Sequence, residues 1–161
     1  LTSATYHTIT WGRRMRAVLM RLDHSMIFVL IAGTYTPICL IATNAAWGIA
    51  ILAVVWSVAI AGIAMKIAWP GAPRWLSVGL YIGAGWIGIV AGTQITEWFA
   101  VVPLILLAAG GVLYSIGGVI YGLRRPNPFP RVFGYHEVFH TLVIAGSVLH
   151  YTVVAAYIMP A

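Results

Sequence analysis

The chain has 161 residues and a formal net charge of +6, and 61% of its residues are hydrophobic whereas only 7% are charged. Soluble domains carry about 25% charged residues, so this chain has too few polar side chains to cover a water-facing surface. The composition excludes a water-soluble domain and predicts an all-α polytopic membrane bundle, with residues 1–161 forming a single transmembrane domain.

Five uncharged apolar windows are long enough to cross a hydrocarbon core of about 30 Å, which requires roughly 20 helical residues. In chain order they are Ser25–Thr43, Ala46–Met65, Trp75–Thr93, Trp98–Leu123 and Phe139–Met159, the last within a helix expected over 136–159. The segment Leu1–Trp11 precedes them and covers only about half a span. We interpret it as the stub of a helix shortened by truncation or processing.

The nine basic residues lie in three segments where loops are expected: between the stub and the first window, between the second and third windows, and between the fourth and fifth. They are Arg13, Arg14, Arg16 and Arg21, then Lys66 and Arg74, then Arg124, Arg125 and Arg131. Because cytoplasmic loops accumulate Lys and Arg, these segments are expected in the cytoplasm and the C-terminus on the non-cytoplasmic side. Topology and anionic lipid headgroups account for the basic charge, so no nucleic-acid partner is expected.

Three of the five histidines are expected at the cytoplasmic face. His136 and His140 are four residues apart, so their imidazoles project from one helix face with Cβ atoms about 6 Å apart. With His7 they would supply three neutral ligands for a catalytic zinc ion, which leaves its fourth position for water. Asp23 would then accept a proton, and Ser3 would hydrogen-bond the water or a developing oxyanion.

Some of these residues also have structural interpretations, which the sequence leaves open. Asp23 would equally serve as the N-cap of the first full helix, unless Ser25 takes that position. His24 is expected in a loop or in a supporting role beside Asp23. His150 lies about 15 Å deeper than the histidine pair by helical rise, and is expected to be a buried hydrogen-bonding residue.

Residues His136 to His140 also fit the H-E-x-x-H pattern of zinc proteases, in which the glutamate is the general base. A soluble protease needs a catalytic domain around that helix, and this chain provides none. An intramembrane protease stays open. It would use Glu137 as the base and leave Asp23 as a third ligand or a bystander.

Three motifs occur in order and resemble the hemolysin III family of bacterial proteins, whose relatives include progestin and adipoQ receptors and, more distantly, alkaline ceramidases. They are Ser3-x-x-x-His7, then Arg21 to Ser25 running into Ile31–Pro37, then His136-x-x-x-His140. The resemblance implies a seven-helix protein of the bacterial inner membrane. About five and a half of those helices would be present here, because the first helix and half of the second are absent.

The same resemblance implies a role for each matched residue: His7, His136 and His140 as Zn²⁺ ligands near the cytoplasmic face, Asp23 holding the zinc-bound water, and Ser3 beside it. In that family the residue after the first histidine of the last motif need not be acidic. The resemblance therefore argues against Glu137 as the general base.

Functions from different classes follow from these observations. The first is a ceramidase-like, zinc-dependent hydrolase of a lipid amide or ester, with membrane lipids as partners and substrate. The second is a pore-forming or channel-like hemolysin in which zinc is structural. Because the helices offer mainly Ser, Thr, Gln94 and His150 to line a pore, a channel through one copy is disfavoured. A receptor role rests on the eukaryotic relatives alone.

Overall fold

The computed structural model describes residues 2–91, 99–129 and 132–159, and within these ranges the chain is helical with no strand. The α-helices are Thr2–Thr8 (α1), Arg13–Ile41 (α2), Ala45–Ala68 (α3), Arg74–Trp86 (α4), Val101–Leu123 (α5) and Tyr135–Val153 (α6). A 3-10 turn, Ile87–Ala91, continues α4, and a π-helical turn, Val154–Ile158, continues α6. The predicted all-α class is confirmed.

Four of these helices, namely α2, α3, α5 and α6 with its π-turn, are long and apolar enough to cross a membrane. Many of their large apolar side chains face outward, including Leu40 at 62% exposed, Ile49 at 63% and Ile144 at 63%. Such an apolar exterior is unfavourable in water, whereas lipid acyl chains solvate it well. The chain is therefore a membrane-embedded, multi-pass helical protein.

Helix α2 corrects the first predicted span, which began at Ser25. It begins at Arg13, so the four arginines of the first basic segment lie on the helix and not in a loop. The apolar window ends where charges begin, whereas a helix continues readily through Arg, Met and Leu, which have high helix propensity. Asp23 and Ser25 are interior helix residues, so the N-cap interpretation is wrong for both; Gly12 holds that position.

The other predicted boundaries differ less. The second basic segment is partly helical, because Lys66 lies in the last turn of α3 and Arg74 begins α4. The predicted span from Trp75 is described through Ala91. Residues 92–98 lie outside the described residues, as do Leu1 and Arg131, so the ends of two predicted spans and the first residue of the stub are not described.

Two apolar clusters hold the helices together, and α2 contributes to both. The first joins α2, α3 and α4 through Phe28, Ala32, Cys39, Ile51, Val55, Ala59 and Tyr81. The second joins the end of α2, the segment that leads into α5 and the end of α6 with its π-turn, through Ile38, Ala42, Phe99, Val153 and Ile158. Helix α2 therefore links the two clusters, through its middle and its end.

Helices α5 and α6 approach each other closely at Gly110 and Gly146. A Cβ added at Gly146 would lie 3.1 Å from the carbonyl oxygen of Gly110 and 2.9 Å from the ring of Tyr114. Small residues permit such backbone contact between membrane helices, for which van der Waals packing is the main driving force. This pairing fixes the direction of α6, which carries His136 and His140.

Candidate metal centre

His7 reaches the centre from the short helix α1. The Trp11 indole N–H donates to the Thr5 carbonyl at 3.0 Å and folds the connection to α2 back against α1. The ring of Tyr6 meets the His7 ring edge-on at a centroid distance of 4.5 Å. These contacts hold His7 at the end of the bundle where α2 and α6 begin.

His136 and His140 are positioned by the N-terminus of α6, which two side chains cap. The Glu137 carboxylate accepts from the Gly134 N–H at 2.8 Å, and the Asn127 side-chain carbonyl accepts from the Tyr135 N–H at 2.8 Å. Both satisfy amide groups that a helix start leaves without intrahelical partners. The first turn of α6 is thereby ordered, and with it the direction of His136.

The three imidazoles converge through the same ring atom. The Nε2 atom of His136 lies 3.1 Å from Nε2 of His7 and 3.1 Å from Nε2 of His140. The ligand atoms of all three residues lie within 4.8 Å of one another. The sequence predicted this set from two distant segments, and the structure brings them together.

Asp23 and Ser3 lie beside this cluster. Asp23 is buried with 8% exposure, and its Oδ2 atom is 3.9 Å from Nε2 of His7. That distance exceeds a hydrogen bond, so the carboxylate is a close neighbour of the imidazoles. Ser3 is half-buried and lines the same groove as Asp23, without a hydrogen bond to the histidines within the described residues.

A groove of about 650 Å³ lies between α2 and α6, and Asp23 and Ser3 are among its lining residues. Its lining combines Ser3, Asp23, Thr34, Ser147 and His150 with the apolar side chains of Met26, Val29, Leu30, Pro37, Tyr151 and Val154. Volumes of roughly 300–1,000 Å³ are typical of small-molecule sites, which are mostly apolar with a few polar groups. The groove therefore has the size and the lining for an elongated apolar molecule.

The donor set fits zinc. Three neutral imidazole nitrogens are a common ligand set for a catalytic zinc ion, and bonds of about 2.0–2.1 Å in a tetrahedron separate the ligand atoms by about 3.3 Å. Two of the three separations are 3.1 Å, close to that value, and the third is within 4.8 Å. The buried Asp23 carboxylate would partly balance the charge of a dication. Metal binding itself stays a prediction.

Glu137 is directed away from these nitrogens. Its side chain is exposed and caps the helix that carries it, through the bond to the Gly134 N–H. A glutamate that serves as general base must instead reach the reacting water within about 3 Å. The geometry favours Asp23 over Glu137 beside the three histidines.

The remaining two histidines have partners of their own. His24 lies on α2 and not in a loop, and its Nε2 shares a hydrogen bond of 2.9 Å with the Tyr121 hydroxyl of α5. His150 is a half-buried hydrogen-bonding residue, with Nε2 3.1 Å from the Leu107 carbonyl oxygen. Sequence reasoning missed Tyr121, because a tyrosine near the end of a membrane helix ordinarily indicates an interfacial anchor.

Comparison with known proteins identifies the family of this chain. The family model described as Haemolysin-III related matches residues 1–151. The hemolysin-3 homolog of Bacillus subtilis (strain 168) is 35% identical over 157 residues, which cover 98% of this chain and 70% of that protein. Hemolysin-3 of Bacillus cereus is 39% identical over 139 residues, covering 86% of this chain and 61% of that protein.

A more distant similarity extends to receptors. The adiponectin receptor protein of Drosophila melanogaster is 28% identical over 165 residues, covering 90% of this chain but only 35% of the receptor. No solved structure matches. The chain thus spans between one third and about two thirds of the lengths of these three relatives.

Proposed function

This chain belongs to the haemolysin-III-related family of membrane proteins, and on that premise we propose that it is a zinc-dependent hydrolase of a lipid amide or ester. The observation that carries the proposal is the convergence of three Nε2 atoms beside a buried carboxylate. Neither a helix-packing role nor a structural cap explains that arrangement. The groove that Asp23 and Ser3 help to line supplies a route for an acyl chain.

Each residue of the centre has a distinct task in this proposal. His7, His136 and His140 would hold the zinc ion through Nε2. When bound there, zinc would polarise the carbonyl of the lipid and lower the pKa of water toward about 7. Asp23 would accept the proton that the attacking water loses and pass it to the departing amine or alkoxide as the bond from the acyl carbon breaks.

The groove explains why the substrate would be a lipid. Its apolar wall is formed by Met26, Leu30 and Val154, and its polar end is formed by Asp23 and Ser3. An acyl chain lying along the wall would place its carbonyl next to the carboxylate, and Ser3 would hydrogen-bond the developing oxyanion. Binding energy gained along the chain would thus orient the reacting bond.

The names of the two Bacillus relatives, a hemolysin-3 homolog and a hemolysin-3, support a second candidate, a pore-forming protein in which zinc ties helices together. The described helices carry few polar side chains that could line an aqueous path through one copy. The groove is mainly apolar, which suits an acyl chain better than hydrated ions. We therefore place the hydrolase first and test the two together.

The decisive test compares purified, zinc-loaded protein with Asp23→Asn and Glu137→Gln forms. We expect Asp23→Asn to keep its zinc and to lose about 100-fold or more of the rate with lipid amides in detergent, because the proton acceptor is gone. Glu137→Gln should keep most of the rate.

Retained hydrolysis in Asp23→Asn with loss in Glu137→Gln would replace this mechanism by the protease type. Ion flux without hydrolysis of any lipid amide or ester would favour the pore.

The proposal includes an orientation: the centre lies at the cytoplasmic side of the inner membrane, and the C-terminus on the other side. Among the described basic residues, Arg16 lines a small cavity together with His7, and Arg74 lies against the Tyr121 ring, which is next to His136. Basic residues are typical of the cytoplasmic side of a membrane protein. A reporter active only outside the cytoplasm should be active when fused after Ala161. Activity of a cytoplasm-only reporter at that site would reverse the assignment.

A further inference from the structure

We propose that Tyr121 is a positioning residue whose hydrogen bond to His24 sets the distance between Asp23 and the three histidines. This inference rests on the proposed function and adds two residues to it. Tyr121 is near the end of α5 and touches no metal ligand atom. It would act through the helix that carries Asp23.

The contacts of Tyr121 connect several helices. Its hydroxyl bonds His24 of α2 at 2.9 Å, while its ring packs against Phe139 of α6 at a centroid distance of 5.1 Å. The same ring lies 6.1 Å from the His136 ring, and the Arg74 guanidinium of α4 lies 5.4 Å from its centroid. One side chain thus touches α2, α4 and α6.

His24 is fixed from a second direction as well. Its carbonyl oxygen accepts a hydrogen bond from the Tyr81 hydroxyl of α4 at 3.1 Å. Two tyrosines therefore hydrogen-bond the same residue of α2, Tyr121 through the side chain of His24 and Tyr81 through its main chain. Since Asp23 is the preceding residue, its backbone position is determined by these two tyrosines.

This link matters because the groove lies between α2 and α6, next to Asp23. Residues of both helices line the groove, and α2 packs against the π-turn Val154–Ile158 at the far end. Helix α5 packs tightly along α6 through the glycine contact. The path from Asp23 through His24 and Tyr121 to His136 is therefore a cross-link at the centre, and α1 with His7 provides another.

The test uses cobalt, because Zn²⁺ has a filled d shell and no visible spectrum, whereas Co²⁺ occupies the same kind of site. The visible bands of bound Co²⁺ are recorded for wild type, Asp23→Asn, Tyr121→Phe and the double variant. Asp23→Asn should shift the bands because it removes a negative charge next to the ion. We expect Tyr121→Phe to shift them in the same direction by less, and to add nothing in the Asp23→Asn background.

Tyr114→Phe is the matched control. Tyr114 lies on the same helix and also gives one hydroxyl bond, of 2.9 Å, to Ser147 of α6. Both variants should lose similar thermal stability in metal-free protein, since each loses one hydroxyl hydrogen bond. Tyr121→Phe alone should shift the cobalt bands, and should lower kcat for a lipid amide about fivefold to tenfold with KM nearly unchanged.

A second pair of variants protects the test against misfolding of Tyr121→Phe. His24→Gln keeps a group that can bond the Tyr121 hydroxyl, whereas His24→Leu does not. The cobalt spectrum of His24→Gln should lie closer to wild type than that of His24→Leu. Equal shifts in the two variants would overturn the proposal.

The outcomes separate this inference from the proposed function. If the cobalt spectra follow the expected pattern but wild type hydrolyses no lipid amide or ester, the positioning role stands and the hydrolase fails. An equal spectral effect of Tyr121→Phe with and without Asp23 would assign Tyr121 a purely structural role. Wild type that binds no Co²⁺ would overturn both.

Discussion

Helix α6 carries histidines in two regions, and their surroundings differ sharply. Near its start, His136 and His140 meet a third imidazole from α1 and a buried carboxylate from α2. About 15 Å further along the helix, His150 packs against α5, with Nε2 3.1 Å from the Leu107 carbonyl oxygen. The same residue type therefore contributes to a candidate metal centre at one end and to helix packing at the other.

The difference arises from the groups that the neighbouring helices contribute. At the start of α6 these groups are the His7 imidazole and the Asp23 carboxylate, which attract a cation. At His150 they are the Leu107 carbonyl and the surface of Gly110. A Cβ at Gly110 would collide with the His150 ring, so this ring fills the space that the glycine leaves. A membrane histidine thus takes its role from the elements packed against it.

Removal of one histidine of the candidate metal centre should have the largest effect, on zinc affinity. His140→Ala should lower zinc affinity by at least about 100-fold, more than loss of a supporting residue, because only two imidazoles remain. Metal analysis of purified protein would show near-stoichiometric zinc in wild type and a trace in the variant. His150→Ala is the matched control on the same helix and should keep its zinc. Equal zinc loss in both variants would contradict the assignment.

A change at the packing end should affect stability rather than metal binding. Gly110→Ala places a methyl group against the His150 ring and 3.2 Å from the Gly146 carbonyl oxygen, so the ring must move and the close packing of the two helices is disturbed. We expect a loss of about 1–3 kcal/mol in the free energy of unfolding, measured in detergent denaturation.

Gly79→Ala is the control for this prediction. An added Cβ there meets nothing within 4 Å, so the substitution should be neutral or slightly stabilising. Zinc content should stay the same in both variants. A neutral Gly110→Ala would show that α5 and α6 are less closely packed than described.

The smallest expected effect concerns the cap of α6. Asn127→Ala removes the acceptor of the Tyr135 N–H and should destabilise the helix start by about 1 kcal/mol. Zinc affinity should fall a few-fold, because part of the binding energy must then order the first turn.

Asn44→Ala is the control. It removes the comparable cap of α3, where the side chain accepts from the Trp47 N–H at 3.0 Å, and should cost similar stability without changing zinc affinity. A zinc effect of equal size in both would exclude local ordering as its cause.

The membrane class and the approximate spans could be predicted because each depends on a local property, the density of apolar side chains along the chain. The same property placed the start of α2 too late, since apolarity reports where lipid begins and not where the helix begins. The candidate ligands could be named from spacing in the case of His136 and His140. His7 required the added assumption that alternate segments meet at one membrane face.

Composition and charge by themselves determined that this chain is a multi-pass helical membrane protein, because the cost of burying charge in lipid acts on each residue separately. Only the tertiary structure decided that Glu137 caps a helix, that His24 bonds Tyr121, and that Asp23 lies at the head of an apolar groove. Those roles depend on distances between segments remote in sequence, and such distances are set by helix packing.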